Sequence, residues 1–286
     1  MAVVPLKDIL EPALKGGYGV PAINVFNDLT MEAVLSAAVE ERSPLIVQTS
    51  VKTVRTIGAA TLFAMWKVMT SGIEVPVSLH LDHCPDRTVI TDCLARGWNS
   101  VLFDASELPV AENQRQTVDV VTEARSWGAH VEGEIESITG VEDGHGSDTE
   151  SQRQPLETVL GFIAATGVDV FAPAIGNAHG VYKQQPILDF ARVEDIVRAT
   201  GLPVALHGGS GLAAEDVARL IALGCAKVNI STALKMVFMQ SSLDHLQESD
   251  RTQSWDPPSL FRHCTKDIHV LVTGLMRQFG SSGTAA

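Results

Sequence analysis

The chain has 286 residues, of which 45% are hydrophobic, 5% aromatic and 19% charged, with 13 prolines and 23 glycines. That composition excludes a disordered or collagen-like chain, and the length suits one α/β barrel, a fold of typically ~250 residues. The formal charge of −13, from 21 Lys and Arg against 34 Asp and Glu, excludes a broad nucleic-acid surface but not a small anion held by a local site.

No stretch of uncharged residues reaches the ~18 apolar positions that a membrane span needs. Lys7, Asp8, Glu11 and Lys15 interrupt any signal-peptide core. Cys84, Cys93, Cys225 and Cys264 show neither CxxC spacing nor the density of a disulfide scaffold. The expectation is a reduced, cytoplasmic protein with neither a nucleic acid nor a membrane as partner.

In chain order, short β-branched runs alternate with helical-period segments. Strands are predicted at Val20–Val25, Leu45–Thr49, Val75–Leu81, Ser100–Phe103, His130–Ile135, Val168–Ala172, Pro203–Leu206 and Lys227–Ile230. In the clearest helix between them, Val217, Leu220 and Ile221 fall at i, i+3 and i+4, and Gly224 supplies the stop. Eight strands alternating with helices predict a (β/α)8 TIM barrel with a C-terminal helical extension. Pro21–Asp28 holds no glycine, which argues against an open dinucleotide-binding sheet. The expected organisation is a single domain over 1–286, with the barrel over about 17–247. Residues 248–286 then form a polar linker, a helix over Ser259–Phe279 and a frayed tail from Gly280. Residues 136–155 are predicted to be a long acidic loop, of a length usually functional.

In such a barrel the C-terminal strand ends face the active site. His80, Asp82 and His83 lie at the end of the third predicted strand, Asp104 after the fourth, and Glu132 and Glu134 at the fifth. His179 follows the sixth, His207 the seventh, and Asn229–Thr232 close the eighth. A lone histidine is most often a hydrogen-bonded core or loop residue. Three from separate loops at one mouth are the donor set of a catalytic zinc site with an open position. His130, at the opposite end of its strand, and His145, His245, His263 and His269 are read as structural or solvated. Asp82, beside a candidate ligand, suits proton transfer or the orienting of a ligand. Asp104 and Glu134 could serve as an alternative metal position or as hydrogen-bonding groups at the mouth. Gly208, Gly209, Ser210 and Gly211 precede a helix, and with Asn229–Thr232 they occupy the strand-seven and strand-eight loops where phosphates often bind in this fold.

The motifs PAINVFN (Pro21–Asn27), HLDH (His80–His83), VEGEI (Val131–Ile135), VEDG (Val141–Gly144), GNAHGVY (Gly176–Tyr182), LHGGSG (Leu206–Gly211) and KVNIST (Lys227–Thr232) together resemble the class II, zinc-dependent ketose-bisphosphate aldolases. That family includes fructose- and tagatose-bisphosphate aldolases. The resemblance implies Zn2+ held by His83, His179 and His207, with Asp104 and Glu134 as an alternative metal position. A monovalent cation is a candidate second cofactor. Asp82 would exchange a proton with the aldehyde-derived hydroxyl, and Glu142 would remove one from the ketone-derived carbon. The dihydroxyacetone phosphate half of a sugar-phosphate substrate would lie against Asn24, Gly180, Gly208, Gly209, Ser210, Asn229, Ile230, Ser231 and Thr232, with Ser50 as a further phosphate contact. A homodimer or homotetramer is implied, with the last helix as a candidate contact.

Three departures stand out. Glu136 replaces a frequent glycine and is expected to add charge beside the site; Val51-Lys52-Thr53 replace glycines after Ser50; and Ser231 stands where the larger fructose-bisphosphate branch has an acid. The last points to the mixed branch that holds tagatose-bisphosphate aldolases and enzymes for sugar acids or inositol-derived keto acids. Three rivals remain open at the level of sequence. Lys227 shares the side-chain parity of Asn229 and could form a Schiff base without metal. A zinc hydrolase could use the same ligands. A non-catalytic sugar-phosphate binder could retain the fold.

Overall fold

The structure is a computed structural model that describes residues 2–142, 145–147, 153–180, 182 and 184–285, with side chains omitted at 141–142 and 145–147. Eight parallel strands close a barrel in the order β1 (Val20–Asn24), β10 (Cys225–Ile230), β9 (Val204–Leu206), β8 (Val170–Phe171), β5 (His130–Gly133), β4 (Ser100–Phe103), β3 (Val77–Cys84) and β2 (Leu45–Ser50). Residues that pair across the seam, such as Ala22 with Asn229 and with Ile46, show that the first strand is hydrogen-bonded on both sides. No edge is left in the barrel, so every strand backbone is paired.

The helices are α1 (Leu6–Gly16), α2 (Asp28–Glu41), α3 (Val51–Ile57), α4 (Ala59–Met69), α5 (Arg87–Arg96), α6 (Val110–Ser126), α7 (Leu156–Thr166), α8 (Phe190–Thr200), α9 (Ala214–Ala222), α10 (Thr232–Thr252) and α11 (Pro257–Gln278). Alternation sorts the strand residues. Leu79 and Leu81 join Val47, Val101 and Val131 in the core between sheet and helices, while Ser78, His80 and Asp82 take the opposite parity. The barrel floor is apolar: Val20, Ala22, Ile46, Val170 and Ala205 cluster with Leu6, Ile9, Leu10 and Ala13 of α1. Those four helix residues lie at i, i+3, i+4 and i+7, so one stripe of α1 plugs the floor. Full burial of each leucine or isoleucine contributes about 1.5–3 kcal/mol. The sequence reading began the barrel at 17 and assigned this plug no role.

Other boundaries differ for local reasons. The expected third strand runs on to Cys84, so His83 lies within it. The 136–155 segment is not a bare loop: Gly140–Glu142 (β6) pairs antiparallel with His145–Ser147 (β7). The expected linker begins later, because α10 continues to Thr252. The tail is not frayed. Gly283 and Ala285 donate backbone N–H bonds to Glu41 and Arg42 carbonyls at 2.7 and 2.9 Å, and Ser281 is buried against Ser43. Among the described residues no helix is long and apolar enough to cross a membrane.

Candidate active site

The site is built where β3 breaks its own alternation. Asp82 points across the barrel, receiving a hydrogen bond from Asn24 Nδ2 at 2.8 Å and a long one from Asn229 Nδ2 at 3.5 Å. Period two would send His83 to the helix side. Its φ of +42° and a register shift between Leu81 and Cys84 turn it over the mouth instead. There its ring centroid lies 4.7 Å from that of His207 and 5.1 Å from that of His179.

Two candidate ligand sets share His83: His83, His179 and His207, and His83, Asp104 and Glu134, each with donor atoms within 4.8 Å of one another. His83 Nδ1 lies 2.9 Å from Asp104 Oδ2 and 3.6 Å from Glu134 Oε1, and its Nε2 is buried without a hydrogen bond among the described residues. Three imidazoles, two carboxylates and one orphaned ring nitrogen are a donor set suited to a divalent metal. His83, His179, Asp104 and Glu134 line a cavity of about 440 Å3 together with Ser106, Ser137 and Ile138.

Electrostatics in the metal-free protein follow from this crowding. For Glu134, burial and then the neighbouring Asp104 push the carboxyl up to about 8. Burial opposes ionisation of His83, but Glu134, Asp82 and Asp104 outweigh it and hold the imidazole well above its usual value. A proton on His83 thus partly neutralises the carboxylates in the absence of a cation. Burial also opposes ionisation of Asp82, yet the summed fields of His83, Lys227, His80 and His207 hold its carboxyl below the ordinary value.

Below the mouth lies a buried polar layer that sequence reading did not assemble. Glu132, fully buried, takes His207 Nε2 at 2.7 Å on one oxygen and the Lys227 ammonium at 2.8 Å on the other. Lys227 also donates to Asn229 Oδ1 at 2.7 Å. An ammonium held this way is a poor amine nucleophile, which argues against the Schiff-base reading. Gln48 donates to Asn24 Oδ1 at 2.7 Å, so a Gln48–Asn24–Asp82 chain spans three neighbouring strands. His80 is buried with Nδ1 2.6 Å from Ser100 Oγ. A glutamine inside the apolar run Leu45–Thr49 was the available signal for Gln48. Glu132 and Lys227 come together only when the barrel closes.

The candidate phosphate residues form a neighbouring cradle. A Cβ on Gly208 would come within 2.1 Å of the Ala178 carbonyl, and one on Gly209 within 2.9 Å of the Asn229 carbonyl, so side chains are excluded there. Gly209 N–H already donates to Asn229 O at 3.2 Å. Ser210 Oγ accepts from Ala233 N–H at 3.2 Å, and the buried Ser231 hydroxyl has no hydrogen-bond partner among the described residues. Gly180 has a φ of +89°, and Ile230 and Thr232 end β10 and begin α10. Tyr182, which sequence reading passed over, accepts from Ala178 N–H and donates to the Gly208 carbonyl, both at 2.9 Å, tying the His179 and Gly208 loops together. Ser50 caps α3, accepting from Thr53 N–H at 3.2 Å.

The side chain of Glu142 falls outside the described residues. Glu136 does not expose charge beside the site. It is buried and paired with Arg192 at 2.5 Å. His130 accepts from Lys7 N–H at 3.4 Å on the floor side, and the rings of His245 and His263 are neighbours 5.3 Å apart.

The family model for fructose-bisphosphate aldolase class-II matches residues 4–284. A fructose-bisphosphate aldolase of Geobacillus stearothermophilus is 37% identical over 289 aligned positions, covering 100% of each chain. A sulfofructosephosphate aldolase of Alkalicoccus urumqiensis is 37% identical over 250 positions, 87% of each chain. The crystal structure of the YdjI aldolase from Escherichia coli K12 superposes with a TM-score of 0.86 at 29% identity, covering 99% of this chain and 100% of that one.

Proposed function

The chain belongs to the class II fructose-bisphosphate aldolase family, and from that premise we propose that it is a zinc-dependent aldolase that reversibly cleaves a ketose bisphosphate into dihydroxyacetone phosphate and an aldehyde. One observation carries the reading: His83, His179 and His207 converge within 4.8 Å beside the buried Asp82. Zinc bound by these imidazoles supplies Lewis-acid charge that polarises the ketone and stabilises the negative charge left on it by cleavage.

The chain's own residues do the rest. Asp82 Oδ2 is occupied by Asn24 at 2.8 Å, whereas among the described residues Oδ1 has the longer 3.5 Å contact from Asn229, so Oδ1 is the oxygen better placed to take a proton. In the cleavage direction it removes the hydroxyl proton from the carbon that becomes the aldehyde, the adjacent carbon–carbon bond breaks, and the electron pair stays with the ketone half. Glu142 is assigned by resemblance to return a proton to the carbon of the ketone half that keeps the electron pair. The glycines at 208 and 209 and the buried Ser231 hydroxyl, which has no partner among the described residues, are suited to hold the phosphate, and Ser50 offers a further contact. The relative named for a sulfofructose phosphate favours one extension: the group on the far carbon of the sugar need not be a phosphate.

The same reading includes a homo-oligomer formed through α10 and not through the last helix. Met236, Met239, Leu243 and Leu246 are exposed along it at spacings of three, four and three, a seam suited to a second copy.

The test is a cleavage screen of metal-loaded protein over fructose, tagatose and sorbose bisphosphates and sulfofructose phosphate, with sodium and potassium varied. Two three-carbon products support the reading, whereas inorganic phosphate would make the protein a hydrolase. Complete chelation should abolish turnover. Activity without metal, with borohydride trapping substrate on Lys227, would overturn the zinc assignment.

A further inference from the structure

Glu136 stands where the resemblance expects glycine, and the structure gives it three bonds. Its Oε1 accepts from Gln154 N–H and from Arg192 Nη2, both at 2.5 Å, and its Oε2 accepts from Ala174 N–H at 3.0 Å. Arg192 Nη1 in turn donates to the Gln154 carbonyl at 3.0 Å. The side chain of Glu136 is fully buried and that of Arg192 is 10% exposed. A buried charge pair is tolerated when other donors and acceptors help to match it, and this pair has backbone partners on both sides, with Arg192 Nε left without a hydrogen bond among the described residues.

What these bonds join matters more than their number. Asp189 caps α8 by accepting from Arg192 N–H at 3.1 Å, and its own N–H donates to the Ile175 carbonyl at 2.8 Å. A closed ring of contacts therefore runs from Glu136 to Ala174 and Ile175, on to Asp189 and Arg192, and back. It fastens the segment leaving β5 to the segment leaving β8. Further along the same two segments, His179 N–H donates to the Thr139 carbonyl at 2.8 Å. A Cβ on Gly140 would lie 2.5 Å from the His179 carbonyl, so the two backbones are in direct contact. Glu134, a candidate ligand, stands two residues before Glu136.

We propose that Glu136 and Arg192 are a positioning pair: their buried ion pair sets the register between the β5 and β8 exit segments, and so places His179 against Glu134 and His83. The pair touches neither metal nor substrate. It acts through the Ala174 and Gln154 backbone, and its catalytic consequence rests on the zinc-aldolase reading above. A glycine at 136 could offer none of these contacts.

The experiment uses Glu136→Gln, Arg192→Met and the double variant Glu136→Gly/Arg192→Met, which removes both charges and keeps the fold testable if a lone buried charge unfolds the protein. Three quantities are read: amide hydrogen exchange over 134–140 and 172–180, zinc affinity by chelator competition, and kcat and KM separately. Folded variants should exchange faster in both segments, bind zinc about tenfold or more weakly, as when other supports of metal ligands are lost, and lose tenfold or more in kcat with KM within about threefold. Arg192→Lys, which keeps the charge, should recover part of the zinc affinity. Cooperatively folding variants with wild-type zinc affinity and kcat would overturn the proposal, whatever their loss of thermal stability. Should the wild-type protein cleave no ketose phosphate, the aldolase reading fails, and exchange and zinc affinity still decide whether the pair positions His179.

Discussion

His207 Nε2 lies 2.7 Å from Glu132 Oε1, and that contact decides which ring nitrogen is left for the cavity. Nδ1, 3.8 Å from Glu134 Oε2, is the free donor. Glu132→Gln would keep the shape but remove the charge that orients His207 and neutralises Lys227. Zinc affinity should fall 10- to 100-fold. Leaving the Lys227 ammonium unpaired should cost about 3–5 kcal/mol of stability. Chelator competition and urea unfolding check the two effects separately, and unchanged zinc affinity would remove Glu132 from the site's support.

Asp82→Ala should retain zinc and lose at least about a hundredfold in kcat, the usual scale for a proton carrier. Asn24→Ala should lose less, because Asp82 keeps its charge and loses only the 2.8 Å donor that aims it. A wild-type cleavage rate in Asp82→Ala would exclude it from the mechanism. His207→Ala should instead lose both metal and turnover.

Acid stability of the metal-free protein should fall in a defined window. Burial, followed by the field of Lys227, lowers His80 from 6.5 to about 3, and burial likewise lowers His207. His80 stays neutral in the folded state and His207 is biased the same way, while their unfolded counterparts take up protons, so the stability they contribute is present above about 6.5 and is lost as pH falls. Glu134 opposes them: with its carboxyl pushed up to about 8, it is protonated in the folded state and ionised in the unfolded one between about 4.5 and 8, so its contribution grows as pH falls through 8. His83 likewise opposes them: its pKa is raised, so its contribution is present below 6.5 and is lost as pH rises through the folded value. Urea midpoints between pH 8 and 5 should therefore pass through a maximum near neutrality. A flat profile would contradict the buried neutral state of His80 and His207.

All four cysteines are buried, and burial pushes the thiols of Cys84 and Cys93 up to about 12. A thiol-specific reagent at pH 8 should label none in the folded protein and all four in denaturant. Rapid labelling of any one under native conditions would mean that its surroundings open locally.

The barrel was legible because eight β-branched runs recur with helical segments between them, and the mouth residues because barrel topology assigns strand ends to one face. The plug was not. In α1 the eye meets Lys7, Asp8, Glu11 and Lys15, while the apolar stripe of Leu6, Ile9, Leu10 and Ala13 needs a barrel floor to have meaning. Partners remote in sequence were equally hidden. Glu132 and Lys227 are separated along the barrel wall by two intervening strands, and Glu136 meets Arg192 across 56 positions. Alternation failed at His83, where the backbone leaves extended geometry and two consecutive side chains turn into the mouth.

That left-handed turn has a price for a residue with a Cβ, of order 1–2 kcal/mol. Glycine would relieve it, so His83→Gly should cost the metal-free fold less than His83→Ala, although both remove the same ligand. The most strained backbone of β3 coincides with the one imidazole shared by both candidate ligand sets. Selection for stability alone would favour another residue there, and the histidine is the mark of function held against it.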